Sequence, residues 1–202
     1  MAGAFQTLKI QRWDDHRYYH HSRINQTLHL ISAISFLISY ALLFIHPAIA
    51  ALVAWGISMT SRQVGHFFFE PKGYDHVNDA SFEFKEAVKV GYNLKRKVVL
   101  LGIWAALPGM LLIDPTFLNY LQPHHDALGF AVNVGWLWFY LGVMGALFRV
   151  AQLTVTQSLE TGVVWLIKII TDPLHDIKLY WNAPIYLMKG QIIDPEHGKQ
   201  HF

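Results

Sequence analysis

The sequence predicts an all-α integral membrane bundle, built from four transmembrane helices with interfacial helices beside them and both termini cytoplasmic. Three observations carry that reading. Of the 202 residues, 53% are hydrophobic and only 15% are charged, and the mean hydropathy is positive at +0.26, a balance foreign to a water-soluble domain of this length. Four stretches, about 28 to 45, 47 to 64, 98 to 113 and 128 to 148, approach the roughly 20 apolar residues that a helix needs to cross a bilayer core. The basic residues avoid two of the connections: His46-Pro47 and residues 114 to 127 contain no Lys or Arg, whereas all sixteen lie in the N-terminal arm, the 62 to 97 segment and the chain from Arg149 onward. Lys and Arg stay on the cytoplasmic side, so that distribution sets the topology.

The elements follow in order. Residues 1–27 form a histidine-rich cytoplasmic arm. It lacks the basic-then-apolar architecture of a signal peptide, and no cleaved leader is expected. Residues 28–70 make a first helical hairpin, with Pro47 opening its second helix. Residues 71–97 combine a turn-rich loop, PKGYDHVND, with SFEFKEAVKVGYNLKRK, whose mixed aromatics and charges suit a helix at headgroup level. Residues 98–153 make a second hairpin. The tail, 154–202, reads as interfacial: VVWLIKII at 163 to 170 is too short to span and holds Lys168, a helix stop is expected at Asp172-Pro173, and Trp and Tyr alternate with lysines beyond it. The whole is one membrane domain.

With no cysteine, any metal must rest on imidazole and carboxylate ligands. No phosphate-binding glycine loop, hydrolytic triad or basic helix for nucleic acid is present. Topology sorts the twelve histidines: His16, His20, His21, His29, His66, His76, His175, His197 and His201 fall on the cytoplasmic face, and His46, His124 and His125 on the other.

Two stretches concentrate the chemistry. In YYHHSRINQTLH (18 to 29), His21, Asn25 and His29 lie four residues apart on one helical stripe, while His20 and His29 would point about 180° apart on a continuous helix. His20 can therefore join His29 only if the helix begins near Ser22, whose hydroxyl can cap it; on one straight helix His21 would replace it. In SRQVGHFFFEPKG, Arg62, His66 and Glu70 stack four apart, and Gly65 permits a neighbouring helix to approach. The tight hairpin returns His66 to the depth of His29. Glu70 could bind metal or fix an imidazole tautomer, and Asn25 would support the site beside it. His175 between two aspartates and His76 in the GYDH loop are further ligand candidates, as are His16 and His21 in the arm, and Arg62 or the Lys95-Arg96-Lys97 cluster could attract an anionic substrate group.

Tyr19, His20, His21, Asn25 and His29, followed by the Q-x-G-H-x-x-F-E pattern of Gln63, Gly65, His66, Phe69 and Glu70, resemble the membrane-bound 2-hydroxy fatty acid dioxygenase family of fatty acid α-oxidation. The resemblance covers residues 18 to 70. It implies Fe(II) as cofactor, O2 and a fatty acyl substrate shortened by one carbon, a bacterial inner-membrane location, and His20, His29 and His66 as metal ligands with Asn25 and Glu70 as catalytic groups beside them; Tyr19 and Arg62 are the candidates for binding that substrate. In that family the glycine-histidine motif lies near the C-terminus, whereas here it follows the first hairpin and a long C-terminal half comes after. Three alternatives stay open: a diiron lipid hydroxylase or desaturase, for which His16, His20 and His21 spell one histidine box, a b-type haem carrier with His29 and His66 as axial ligands, and a non-catalytic lipid-binding membrane protein.

Overall fold

A computed structural model describes residues 3–195. Among the described residues the fold is helical, with no strand beyond isolated backbone bridges. His197 and His201 lie outside the described residues.

The chain forms α1 (Ala4–Tyr19), α2 (Arg23–Leu43), α3 (Pro47–Val53), α4 (Thr60–Val64), α5 (Phe82–Val88), α6 (Leu94–Ile113), α7 (Ala127–Thr156), α8 (Leu159–Tyr180) and α9 (Ala183–Met188). Three of these, α2, α6 and α7, are long and apolar enough to cross a membrane. By length and composition they mark a membrane protein. Their outward faces carry Ile31, Ile34, Val98, Leu112, Leu147 and Phe148 in the open, an apolar surface that lipid would cover.

The second predicted span, 47 to 64, runs on to Phe69, because α3 and α4 alternate without a break with wider π-helical turns at Ala54–Met59 and Gly65–Phe69. Hydroxyls serve the widened backbone: Ser58 donates to the carbonyl of Val53 and Thr60 to that of Trp55. Such insertions recur at functional sites, and the second one carries His66.

Helix α2 packs against α3, α4 and α8, and α7 packs against α3, α6 and α8. The interior is polar along much of α2, which buries Asn25, Gln26, His29, Ser32, Ser35 and Ser39. A small apolar core, Leu107, Leu111, Val134 and Leu137, joins α6 to α7. Gly135 lets α7 lie on the backbone of Ala48, where a Cβ would overlap the Ala48 carbonyl.

Two expectations are corrected. The helix stop at Asp172-Pro173 does not occur; α8 continues through Pro173 to Tyr180, taking in the 163 to 170 run. A proline inside a helix removes a donor and frees the carbonyl four residues earlier. Here the Tyr40 hydroxyl lies 3.5 Å from that carbonyl, of Ile169, and 3.2 Å from that of Ile170. The same device serves Pro108 in α6, where Trp138 Nε1 donates to the Trp104 carbonyl at 3.0 Å. The headgroup-level helix expected between 81 and 97 is also divided. Only Phe82–Val88 forms α5, and the basic cluster opens α6 behind an Asn93 cap, whose side chain accepts from the Arg96 amide. Arg149 of α7 donates to the carbonyls of Val90 and Gly91 and holds the break open.

Helix α8 is amphipathic with its polar side inward. Lys168, Asp172, Asp176 and Tyr180 recur every fourth residue and are buried, while Leu159, Val163, Ile167, Ile170 and Leu174 stand in the open.

Candidate metal centre

The helix does begin at Ser22. Helix α1 ends at Tyr19, and Ser22 caps α2, its hydroxyl accepting from the Ile24 amide at 3.2 Å. The interruption is clasped by the far end of the chain. The Arg23 amide donates to the Ile192 carbonyl and the Asp194 amide to the His21 carbonyl, each at 2.8 Å. Asp194 also accepts from Arg23 (3.0 Å) and Gln26 (2.8 Å), and Gln26 in turn donates to the His20 carbonyl at 2.9 Å. These bonds turn His20 back over the mouth of α2.

His20, His29 and His66 are all buried, and one ligand atom from each lies within 4.8 Å of the others. His20 and His29 bring their Nε2 atoms to 3.2 Å. Two imidazole nitrogens bonded to one first-row metal at about 2.0–2.1 Å sit roughly 3.0–3.4 Å apart, so the pair has the spacing of neighbouring ligands.

Two of the three opposite ring nitrogens are engaged in the manner of metal-binding imidazoles. His66 Nδ1 lies 2.6 Å from Glu70 Oε2. His20 Nδ1 lies 3.0 Å from the Tyr180 hydroxyl, which also reaches His16 Nδ1 at 3.1 Å. His29 Nδ1 faces Asp176 Oδ2 at 3.6 Å, beyond hydrogen-bond range, and has no other partner among the described residues. With Nδ1–H pointing at Glu70 and Tyr180, the Nε2 lone pairs of His66 and His20 are free to converge. Burial and the neighbouring His29 push the His20 imidazole well below its ordinary pKa, which keeps it in the neutral form that a metal requires. The donor set, three buried imidazoles of which His20 and His66 have hydrogen-bonded outer nitrogens, fits a divalent transition metal.

The other predicted residues divide. Glu70 holds the His66 tautomer. Asn25 is fully buried and supports the site, donating to the Tyr19 carbonyl at 2.8 Å. Gly65 sits so close to it that a Cβ would overlap Asn25 Oδ1. Arg62 is tied to Asp176 at 2.6 Å, and the Tyr19 hydroxyl is committed to the Lys85 carbonyl at 2.6 Å, although both residues line the adjoining cavity.

The remaining ligand candidates stay outside the triad. The His16 ring reaches Tyr180, and the His16 carbonyl accepts from the His20 amide at 3.1 Å. His21 turns toward the Arg17 carbonyl and Asp75. His76 is exposed in its loop, its ring edge-on to Tyr74. His175 precedes the inward-facing Asp176 on a continuous helix, so it is rotated about 100° away from the buried stripe.

Sequence reasoning missed Tyr180 and Asp176. Their signal was the fourfold spacing of Lys168, Asp172, Asp176 and Tyr180, hidden by the expected stop at Pro173. That stripe also anchors α1: Lys168 pairs with Asp172 at 2.5 Å and with Asp15 at 3.2 Å, and Arg12 reaches Asp172 at 3.2 Å. Burial alone would raise the Asp15 carboxyl, but Lys168 and the other nearby cations hold it well below the usual carboxylate range.

A cavity of about 370 Å³ opens beside the triad, with His66 in its wall. Its lining combines charged groups, Arg62, Lys97, Lys168 and Asp15, with apolar ones, Phe36, Trp55, Leu100 and Leu141.

No protein-family model, no curated protein and no solved structure matches this chain.

Proposed function

We propose that the chain is a membrane-embedded, Fe(II)-dependent non-haem oxygenase acting on a fatty acyl substrate, with a 2-hydroxy fatty acid cleaved to the acid one carbon shorter. The observation that carries this reading is a buried triad of His20, His29 and His66 beside a cavity that has His66 in its wall and a lining of both charged and apolar residues. That mixed lining suits an acid with a long chain. The motif resemblance over residues 18 to 70 supports iron and O2 as the chemistry.

Fe(II), when bound, supplies the redox centre and the coordination positions at which O2 and a hydroxy acid can meet. The protein's own groups do the rest. Glu70 and Tyr180 hold His66 and His20 with their outer nitrogens protonated, Asp176 anchors Arg62 at the cavity edge, and the apolar wall excludes water from the chain. The balance is satisfied by one O2 per hydroxy acid if the carboxyl carbon leaves as CO2 with one water. A diiron centre would call for more ligands than the single group of three found among the described residues.

The same reading takes the helical run from Pro47 to Phe69 as the fourth span. The absence of Lys and Arg from the two outer connections supports a cytoplasmic side for both termini and the metal site, and the motif resemblance supports a bacterial inner membrane.

Metal analysis of the purified full chain tests the proposal. One iron per chain is expected, lost in His20→Ala, His29→Ala and His66→Ala, together with consumption of 2-hydroxy acid that stops on chelation and returns with Fe(II). A chain purified without transition metal, in which His66→Ala changes nothing, would sink it.

A further inference from the structure

Four cations, Arg62, Lys89, Lys97 and Lys168, line the cavity, and three are neutralised within the fold. Arg62 is held by Asp176, Lys168 by Asp15 and Asp172, and Lys89 by Glu70 at 3.3 Å and Glu86 at 3.5 Å. Lys97, in the first turn of α6, is different. It is 9% exposed, it lines both the main cavity and the small recess beside His66 and Glu70, and its ammonium makes no ion pair or hydrogen bond with the described residues. A buried ammonium without a partner is costly and marks a place where a ligand supplies the missing charge.

The wall formed by α7 shows the second half of a built site. Gly142 and Gly145 of α7 border the cavity, and no close helix contact holds either position to glycine. A Cβ at Gly142 would meet Trp55 Nε1 at 3.5 Å, and one at Gly145 would meet Leu100 Cδ1 at 3.8 Å, both ordinary contacts. Small residues at these positions leave volume open that larger side chains would fill.

We propose that Lys97 is the positioning residue for the substrate's anionic head, holding it beside His66, and that Gly142 and Gly145 set the length of chain the cavity accepts. The inference rests on the reading of this site as one for an acyl substrate. It adds which cation binds the head and which residues select the tail. The recognised chemistry is a single-chain amphiphile with an anionic head, whether the anion is a free carboxylate or the phosphate of a lysolipid.

The test is binding rather than turnover. Trp55 and Trp165 line the cavity, so a doxyl-labelled stearate bound there quenches tryptophan emission of the full chain in nanodiscs, and the component displaced by unlabelled acid reports the site. The measurement is made with and without chelator, so that failure of the metal reading leaves it interpretable. Lys97→Met is expected to weaken displaceable binding by about tenfold or more, the loss of one charge-assisted contact, while Lys97→Arg keeps most of it. A neutral monoacylglycerol of equal chain length should not displace the probe. Lysophosphatidate and fatty acid should both do so through Lys97, and the tighter of the two identifies the source of the head. Gly142→Leu and Gly145→Val should shift the preferred chain to shorter acids, by roughly fourfold in affinity per methylene excluded. Gly142→Ala and Gly145→Ala, whose Cβ atoms would make only ordinary contacts, should shift it in the same direction and guard against a misfolded larger variant. Equal binding by wild type and Lys97→Met, displacement by the neutral lipid, or an unchanged chain-length profile in all four glycine variants would overturn the proposal, even if the triad proves to bind iron.

Discussion

Tyr180 and Glu70 act at the scale of single atoms. Each sits behind a histidine, and a hydrogen bond at Nδ1 decides whether Nε2 offers a lone pair or a proton to a metal. Tyr180→Phe keeps the buried ring and deletes the hydroxyl between His20 and His16; Glu70→Gln keeps the shape and deletes the charge behind His66. Both variants are expected to lower metal affinity by about 10- to 100-fold, measured by competition with a chromogenic chelator, with helix content unchanged. His175→Ala should leave affinity where it is, because that side chain stays outside the triad. A large loss in His175→Ala with none in Tyr180→Phe would mean that the centre is assembled differently. His29, His66, Glu70 and Asn25 were legible in the sequence, since spacing on one helix and a tight hairpin suffice to place them. Tyr180 was not, because nothing local links residue 180 to residue 20.

At the scale of elements, two interruptions shape the site: the chain break between α1 and α2, and the π-helical turn at Gly65–Phe69. The first was foreseeable as a condition, since His20 and His29 cannot share a centre on one straight helix. The second was not, because a π turn has no reliable mark in composition. Between them lies Gly65, against Asn25. The Asn25 side chain is fully buried and held by the Tyr19 carbonyl, so it cannot swing aside. Gly65→Ala is therefore expected to destabilise the protein by about 1–3 kcal/mol, the usual cost of overpacking, read as a lowered thermal midpoint in detergent. Gly56→Ala in the other π turn meets nothing within 4 Å and serves as the control. Pro173 shows the opposite relation between local signal and outcome. It reads as a stop, yet α8 runs through it with the Tyr40 hydroxyl near the carbonyl it frees.

Across the whole molecule, the centre depends on parts of the chain far apart in sequence. Asp194 lies 171 residues from Arg23 and 168 from Gln26, and through them it secures the break that carries His20. Asp194→Ala should free that break and reduce metal affinity by at least about tenfold while circular dichroism stays helical. Retention of full affinity would show that α1 and its anchor on Lys168 and Asp172 hold His20 without the tail.

The membrane character, the helical class and the two motif halves were determined by the sequence alone. Bilayer length, hydropathy and helical periodicity are local properties, and a chain of this composition has few other ways to satisfy them. The tertiary structure alone decided which polar residues meet. His20 joins His29 because the C-terminal segment clasps the break. Asp176 and Tyr180 face inward because α8 continues past Pro173. Lys97 is left without a counter-charge because its neighbours are already paired. Each of these outcomes is a competition among distant groups for the same partners, and that competition exists only once the helices have packed.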